Sequence, residues 1–220
     1  VGPYNESTAA VEFEPAPLDG PIGRAVEQLD QKAVVAHAGR WLVTGRPQVV
    51  LLDYRQVFGQ LDQIKYKLWE DHGIPTPGED ELIGGVVAFG EVCRRFLNQL
   101  ASLGAGSPPL IAHFHEWMGS AAVPTLRRDG WPGAIVFTTH ATVLGRYLST
   151  NNPQFYDHLP FLDPDKEAAE FNVESQHQLE RAAAHGAHVF TTVSDVAAEE
   201  CSCLLGRRPD LLLPNGLNIQ

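Results

Sequence analysis

The sequence predicts an α/β fold in which a parallel sheet carries helices on both faces. Apolar, β-branched runs alternate with segments whose apolar residues recur at helical spacing, so the order helix, strand, helix, strand repeats along the chain. The run QVVLLD (48–53) has little polar alternation, as expected for a strand covered on both faces. Strands that alternate with helices in this way are typical of parallel sheets.

The composition is that of an acidic globular domain. Its 220 residues are enough for one substantial core, and 44% of them are apolar. A net charge of −11 argues against non-specific binding to nucleic acid or to acidic membranes. No apolar run reaches the ~18 residues of a membrane-spanning helix. The three cysteines lack the spacing of a disulfide framework, which indicates reduced thiols in a cytoplasmic protein.

The first half of the chain supplies mostly helical segments around one strong strand. We predict the end of a strand at 1–4, a helix at 22–33, a strand that precedes a turn at 45–47, a strand at 48–53, and helices at 56–70 and 80–103.

The second half repeats the strand and helix alternation more regularly. We predict strands at 109–114, 134–139, 188–192 and 211–213, parallel to one another and to 48–53, with helices at 117–128, 165–187 and 194–205 and a long loop at 142–164. The helix at 165–187 is the longest predicted. Asp163 or Asp165 is expected to cap its start, Gly186 to follow its end, and Ser194 to cap the next helix.

Polar side chains follow four of these strands at the point where each strand ends. His113 and His115 end the first, His140 follows the second, Thr192 and Ser194 the third, and Asn215 the fourth. The carboxyl ends of parallel strands meet at one edge of a sheet, where ligands of open α/β folds bind. The sequence therefore predicts a shared cleft.

Two kinds of chemistry fit such a cleft. His113 and His115 face the same side of a strand, and with His140 they could ligate a metal in a metal-dependent hydrolase. Alternatively, imidazole and amide groups can bind sugar hydroxyls, and helix amides after Ser194 or Asn215 could face the diphosphate of a sugar nucleotide.

Several candidates also have a structural interpretation. Thr192 and Ser194 could serve only as the strand exit and helix cap, and Arg146 could be solvated instead of contacting an anionic or sugar ligand. Glu180 and Arg181 could form an exposed ion pair.

Four motifs carry a resemblance to a known family. The segments HFHEW, IVFTTHATVLGRYL, ERAAAHGAHVFTTVS and PDLLLPNGLN resemble the eukaryotic-type glycogen synthases of glycosyltransferase family three. The resemblance implies a GT-B fold, of which this chain is the N-terminal, acceptor-side Rossmann-like half. It also implies retaining transfer of glucose from UDP-glucose to the non-reducing end of an α-1,4-glucan, with no metal or other cofactor.

The family pattern also implies roles for individual residues. It places His115 beside the transferred sugar as a positioning residue in catalysis, with His113 next to it, and it places His140 and Asn215 along the same cleft. We include Arg146, Thr192 and Ser194 as further substrate-binding candidates. The expected partners are glycogen or another α-1,4-glucan, UDP-glucose and a second copy of the chain, without nucleic acid or membrane.

Parts of the family pattern are missing from the sequence. The glycine-rich segment that approaches the donor would precede Val1, and the C-terminal nucleotide-binding domain with its catalytic glutamate would follow Gln220. We therefore expect residues 1–220 to be an incomplete N-terminal domain that is inactive alone. The alternatives are the metal-dependent hydrolase and a non-catalytic glucan-binding module.

Overall fold

The computed structural model describes residues 12–29, 34–78, 80–103 and 109–216. The strands are β1 (Phe13–Pro15), β2 (Val35–Trp41), β3 (Gln48–Asp53), β4 (Ile111–His115), β5 (Ala134–Thr138), β6 (Val189–Thr192) and β7 (Leu211–Leu212). The α-helices are α1 (Gly20–Gln28), α2 (Leu61–His72), α3 (Glu81–Ser102), α4 (Glu116–Gly119), α5 (Val123–Arg128), α6 (Val143–Asn151), α7 (Phe155–His158), α8 (Pro164–Glu170), α9 (Glu174–Gly186) and α10 (Asp195–Leu204). Two 3-10 helices span Arg55–Gln60 and Leu159–Phe161. The predicted strand end at 1–4 lies outside the described residues.

A four-stranded parallel sheet forms the centre of the fold. Its strand order is β4, β5, β6, β7, and every neighbouring pair is parallel. This confirms the α/β class and the parallel strands predicted in the second half of the chain.

The prediction that 48–53 joins this sheet is wrong. β3 is a strand, but it pairs antiparallel with β2 in a separate three-stranded sheet. The short turn between β2 and β3, where Gly45 and Arg46 adopt positive φ, permits only an antiparallel hairpin. Leu52 packs against the cluster of Val57, Ala88 and Val92, so packing against helices explains its apolar character.

The helices that connect the parallel strands cover one face of the sheet. Consecutive strands are also neighbours in space, and right-handed crossovers then place all the connecting helices on the same side. Phe114, Phe137 and Phe190 lie in the core on that side, packed against α5, α9 and α10. On the opposite face Ile111 and His113 are exposed. A parallel sheet has helices on both faces only if its strand order reverses at some point. Within the described residues the order β4, β5, β6, β7 contains no such reversal.

The helix predictions succeed at their starts and fail where helices break. Asp163 accepts a hydrogen bond from the Lys166 amide and Ser194 from the Ala197 amide, which confirms both N-caps. The helix predicted at 117–128 is divided into α4 and α5, because Pro124 cannot lie in the interior of a continuous helix.

One loop prediction and one further helix prediction are wrong. The long loop predicted at 142–164 contains α6 and α7, and the helix predicted at 165–187 is interrupted at Asn172, which has a φ of 56°. The longest helix in the described residues is therefore α3. Gly186 is the last residue of α9 and does not follow the helix as predicted. A β-carbon at Gly186 would lie 3.0 Å from Cγ1 of Val123, so close packing against α5 explains this glycine.

The buried imidazole of His177 makes stability depend on pH. His177 on α9 has no exposed surface, and neither ring nitrogen has a hydrogen-bond partner among the described residues. Burial lowers its pKa from 6.5 to about 4. Between these values the unfolded chain binds a proton that the folded chain does not, so stability falls as the pH falls.

We predict that replacing His177 with leucine reduces this acid sensitivity. Between pH 7 and pH 4.5 the wild-type protein should lose roughly 1–3 kcal/mol more stability than the variant. Thermal or urea unfolding of both proteins across this pH range measures the difference. An equal loss of stability in the two proteins would show that His177 is not the source of the acid sensitivity.

Candidate functional site

The candidate site lies at the carboxyl edge of the parallel sheet. His115 ends β4, His140 follows β5, Ser194 follows β6 and Asn215 follows β7. Since all four strands are parallel, these positions share one edge. The rings of His115 and His140 are nearly parallel, with their centroids 6.3 Å apart. The structure thus brings the predicted residues to one edge.

Three histidines form a row along this edge. The ring centroids of His113 and His115 are 4.1 Å apart, because residues two apart on a strand point to the same face. Partial burial, and then the neighbouring His113 and His140 rings, lower the pKa of His115 below its usual value. At neutral pH a neutral His115 ring can donate one hydrogen bond and accept another, which suits a sugar hydroxyl.

His113 is held in place by hydroxyl groups of the next two strands. Its Nε2 lies 2.7 Å from the Thr138 hydroxyl oxygen, which lies 2.5 Å from the hydroxyl oxygen of Thr191. Both threonines are buried. The hydrogen-bonded row therefore connects β4, β5 and β6 beneath the cleft and fixes the orientation of the His113 ring.

His140 is oriented by Glu116, the residue that follows His115. Glu116 Oε1 accepts hydrogen bonds from the His140 backbone amide at 3.0 Å and from Nδ1 at 2.8 Å. With Nδ1 donating to Glu116, Nε2 is left to interact with a ligand. The Arg146 guanidinium lies 3.7 Å from the other Glu116 oxygen. Glu116 thus links the histidine to the arginine.

The sequence interpretation overlooked this role of Glu116. Glu116 has a φ of 58°, unusual for a residue with a side chain, and this conformation occurs directly after the strand that carries His113 and His115. A histidine followed by a glutamate at a strand end was the signal present in the sequence, but it does not reveal the partner of the carboxylate.

Two buried glutamates support the loop that carries His140. Glu180 on α9 is hydrogen-bonded to the Thr139 hydroxyl and accepts the Val143 amide hydrogen, both at 2.8 Å. Glu200 on α10 accepts from the amide and the hydroxyl of Thr142 at 2.7 and 2.6 Å. The interpretation of Glu180 and Arg181 as an exposed pair is wrong, because Glu180 has no exposed surface.

The remaining candidates occupy different positions relative to the edge. The Thr192 side chain is fully buried, and its hydroxyl donates to the Thr139 carbonyl at 2.7 Å. Ser194 is exposed, and its hydroxyl oxygen accepts the Ala197 amide as a helix cap. Asn215 is exposed after β7. Thr192 therefore supports the loop from within, whereas Ser194 and Asn215 are accessible at the edge.

The geometry gives little support to a metal centre. Within the described ranges, no group of three or more histidine, cysteine, aspartate or glutamate side chains is arranged to hold a metal ion. Nδ1 of His140 and Nε2 of His113 are also already hydrogen-bonded to Glu116 and Thr138. The metal-dependent hydrolase therefore has no ligand set among these residues.

A cavity of about 290 Å³ lies between α2, α3 and α5. Arg94 and Arg128, which line it, form ion pairs with Glu91 and Asp71. None of the histidines at the sheet edge lines this cavity. It therefore does not belong to the candidate site.

We predict that Gly145→Ala destabilises the protein through Glu200. A β-carbon at Gly145 would lie 2.2 Å from Glu200 Oε1 and 2.7 Å from the Thr142 hydroxyl oxygen, so the buried carboxylate must move and leave donors unpaired. The expected loss is roughly 2–4 kcal/mol, measured by chemical unfolding. Gly59→Ala is the control, because Gly59 is exposed and a β-carbon there would meet no atom within 4 Å. Equal effects of the two substitutions would contradict the explanation.

Comparison with known proteins identifies the family. The family described as glycogen synthase matches residues 1–220. The chain is 38% identical over 221 residues to the liver glycogen (starch) synthase of Rattus norvegicus and 38% identical over 220 residues to the glycogen (starch) synthase of Neurospora crassa. It is also 38% identical over 229 residues to isoform 2 of the glycogen (starch) synthase of Saccharomyces cerevisiae. Each match covers 100% of this chain and 31–32% of the relative, so the chain spans about a third of their length. Because the family pattern and these relatives match this chain over its whole length, the chain belongs to the glycogen synthase family.

Proposed function

We propose that the full-length protein is a glycogen synthase that transfers glucose from UDP-glucose to the non-reducing end of an α-1,4-glucan with retention of configuration. The observation that carries the proposal is the row of His113, His115 and His140 at the carboxyl edge of the sheet, in a chain that belongs to this family. The contribution of this chain is to bind and orient sugar residues.

The hydrogen-bonding groups at the edge suit a neutral polyhydroxylated substrate. His115 is exposed and favours the neutral form, so it can exchange hydrogen bonds with the hydroxyl groups of the transferred glucose. His140 leaves Nε2 for a hydrogen bond to the substrate, because its Nδ1 is bound to Glu116. Arg146 carries an exposed positive charge near the same edge for an anionic group of the donor.

The proposed mechanism divides the chemistry between two domains. Retaining transfer passes through an oxocarbenium-like transition state while negative charge develops on the departing UDP, and stabilising such a charge is usually the largest catalytic contribution. The family resemblance assigns that task mainly to the C-terminal domain. The residues of this chain would hold the glucose and the acceptor in place and exclude water when the domains close.

The proposed setting is the cytoplasm, with a glucan and a nucleotide sugar as partners and with the chain able to associate with further copies. No helix in the described ranges combines the length and the hydropathy needed to cross a membrane. The three cysteines are free thiols, as expected in a reducing compartment.

We predict that His115→Ala in the full-length enzyme lowers kcat by roughly 10- to 1,000-fold, because a group that positions the sugar is lost. The fold should be unaffected, since the ring is exposed. UDP release coupled to glucan growth measures the effect. His37→Ala is the matched control, because His37 is exposed on β2 in the other sheet and should leave kcat unchanged. An unchanged kcat for His115→Ala would remove His115 from the site.

We also predict that residues 1–220 alone do not transfer glucose from UDP-glucose. Each missing hydrogen-bond donor to a developing oxyanion costs roughly 2.7–4 kcal/mol, so the loss of several reduces the rate below detection. The same assay tests the prediction with the isolated chain and the full-length enzyme in parallel. Glucose transfer by the isolated chain would contradict the proposed division of the chemistry between two domains. Glucan binding without transfer by the full-length protein would favour a binding module.

A further inference from the structure

We propose that Glu180 is a positioning residue for glucosyl transfer, which holds the loop between β5 and α6 so that His140 and Arg146 face the sheet edge. This inference rests on the proposed function. Glu180 lies on α9, behind the loop, and it has no exposed surface through which it could touch a substrate. Its action on the reaction is therefore indirect.

Glu180 holds both ends of the segment that contains His140. One carboxyl oxygen lies 2.8 Å from the hydroxyl oxygen of Thr139, the residue before His140. The other accepts the amide of Val143, the first residue of α6, at 2.8 Å. A single side chain thus sets the distance between the end of β5 and the start of the helix that carries Arg146. Between these two anchors the His140 side chain points outward and is 38% exposed.

The hydrogen-bond geometry around Glu180 fits a neutral carboxylic acid. The Thr139 hydroxyl lies within reach of two acceptors, Glu180 at 2.8 Å and the Ala141 carbonyl at 3.1 Å, but it has only one hydrogen to donate. If Glu180 is protonated, its O–H donates to the Thr139 oxygen, and the threonine hydrogen is free for Ala141. Burial raises the pKa of Glu180 to about 8, and the negative charges of Glu116 and Glu200 act in the same direction.

Glutamine should reproduce this arrangement. Its amide N–H₂ can donate to the Thr139 oxygen, and its carbonyl can accept from the Val143 amide. Leucine has a similar size, but it leaves the Val143 amide without an acceptor and breaks the contact to the Thr139 hydroxyl. A buried carboxyl group costs stability compared with an apolar side chain, so its presence here is explained by the loop conformation that it imposes.

Kinetics of the full-length enzyme with Glu180→Gln and Glu180→Leu test the proposal. We expect Glu180→Gln to retain kcat/KM within about threefold, and Glu180→Leu to lose about 10- to 100-fold, since a displacement of about 1 Å in a positioned group can cost this much. Amide hydrogen exchange of residues 140–146 should be faster in Glu180→Leu and unchanged in Glu180→Gln.

Glu91→Leu provides a matched control. Glu91 is largely buried on α3, where it pairs with Arg94 and Arg95 and does not contact the His140 loop. Its loss should lower the Tm while leaving kcat/KM within about twofold. If Glu180→Leu does not fold, Thr139→Val removes one hydroxyl from the same contact and should lower kcat/KM severalfold at an intact fold.

The outcomes separate the two proposals. A wild-type enzyme that transfers no glucose would refute the proposed function, and the hydrogen-exchange comparison would then decide the role of Glu180 in the loop. Full activity and unchanged exchange in Glu180→Leu would overturn the role of Glu180. Equal impairment of the glutamine and leucine variants would also overturn it, because a hydrogen-bonding role requires that glutamine rescue activity.

Discussion

The parallel register of β4 and β5 is the constraint on which the rest of the site depends. His115 pairs with Thr138, so the last residue of one strand lies beside the last residue of the next, and His140 follows two residues later. A slip of one residue would turn every side chain to the opposite face. It would expose Phe114 and bury the histidines, and burial of one phenylalanine contributes about 1.5–3 kcal/mol. Core packing therefore also determines which side chains reach the cleft.

The same register arranges the polar side chains that lie behind the histidines. Thr138 pairs with Thr191, which brings their hydroxyl oxygens to 2.5 Å and continues the row from His113. The neighbouring Thr139 and Thr192 belong to the next layer, where the Thr192 hydroxyl binds the Thr139 carbonyl. The repeated threonine pairs thus satisfy one another inside the protein. They stabilise the edge and leave the imidazole groups directed outward.

The sequence was informative where local chemistry and position coincide. Apolar runs that end in His115 and His140 could be recognised as strands, and the caps Asp163 and Ser194 could be recognised because they interact with amides only three residues away. The antiparallel orientation of β3 could not be predicted, since an apolar run carries no information about its partner strand. The role of Glu180 could not be predicted for a related reason. Its partners Thr139 and Val143 are 41 and 37 residues away, and helical spacing alone does not show which face of α9 is buried.

The start of each helix at the edge also limits where an anion can bind. The amides at the start of α6 already make hydrogen bonds within the protein. Glu200 accepts a hydrogen bond from the Thr142 amide, and Glu180 accepts one from the Val143 amide. The Thr142 hydroxyl oxygen accepts one from the Gly145 amide. Helix α10 begins with the acidic residue Asp195, whose charge opposes a second anion at that end. These two helices therefore offer few amides to a diphosphate, whereas the histidine row offers imidazole nitrogens for hydrogen bonds. This distribution of charge and hydrogen bonds is consistent with the proposal that this edge mainly binds the sugar, with Arg146 as its contact to an anionic group of the donor.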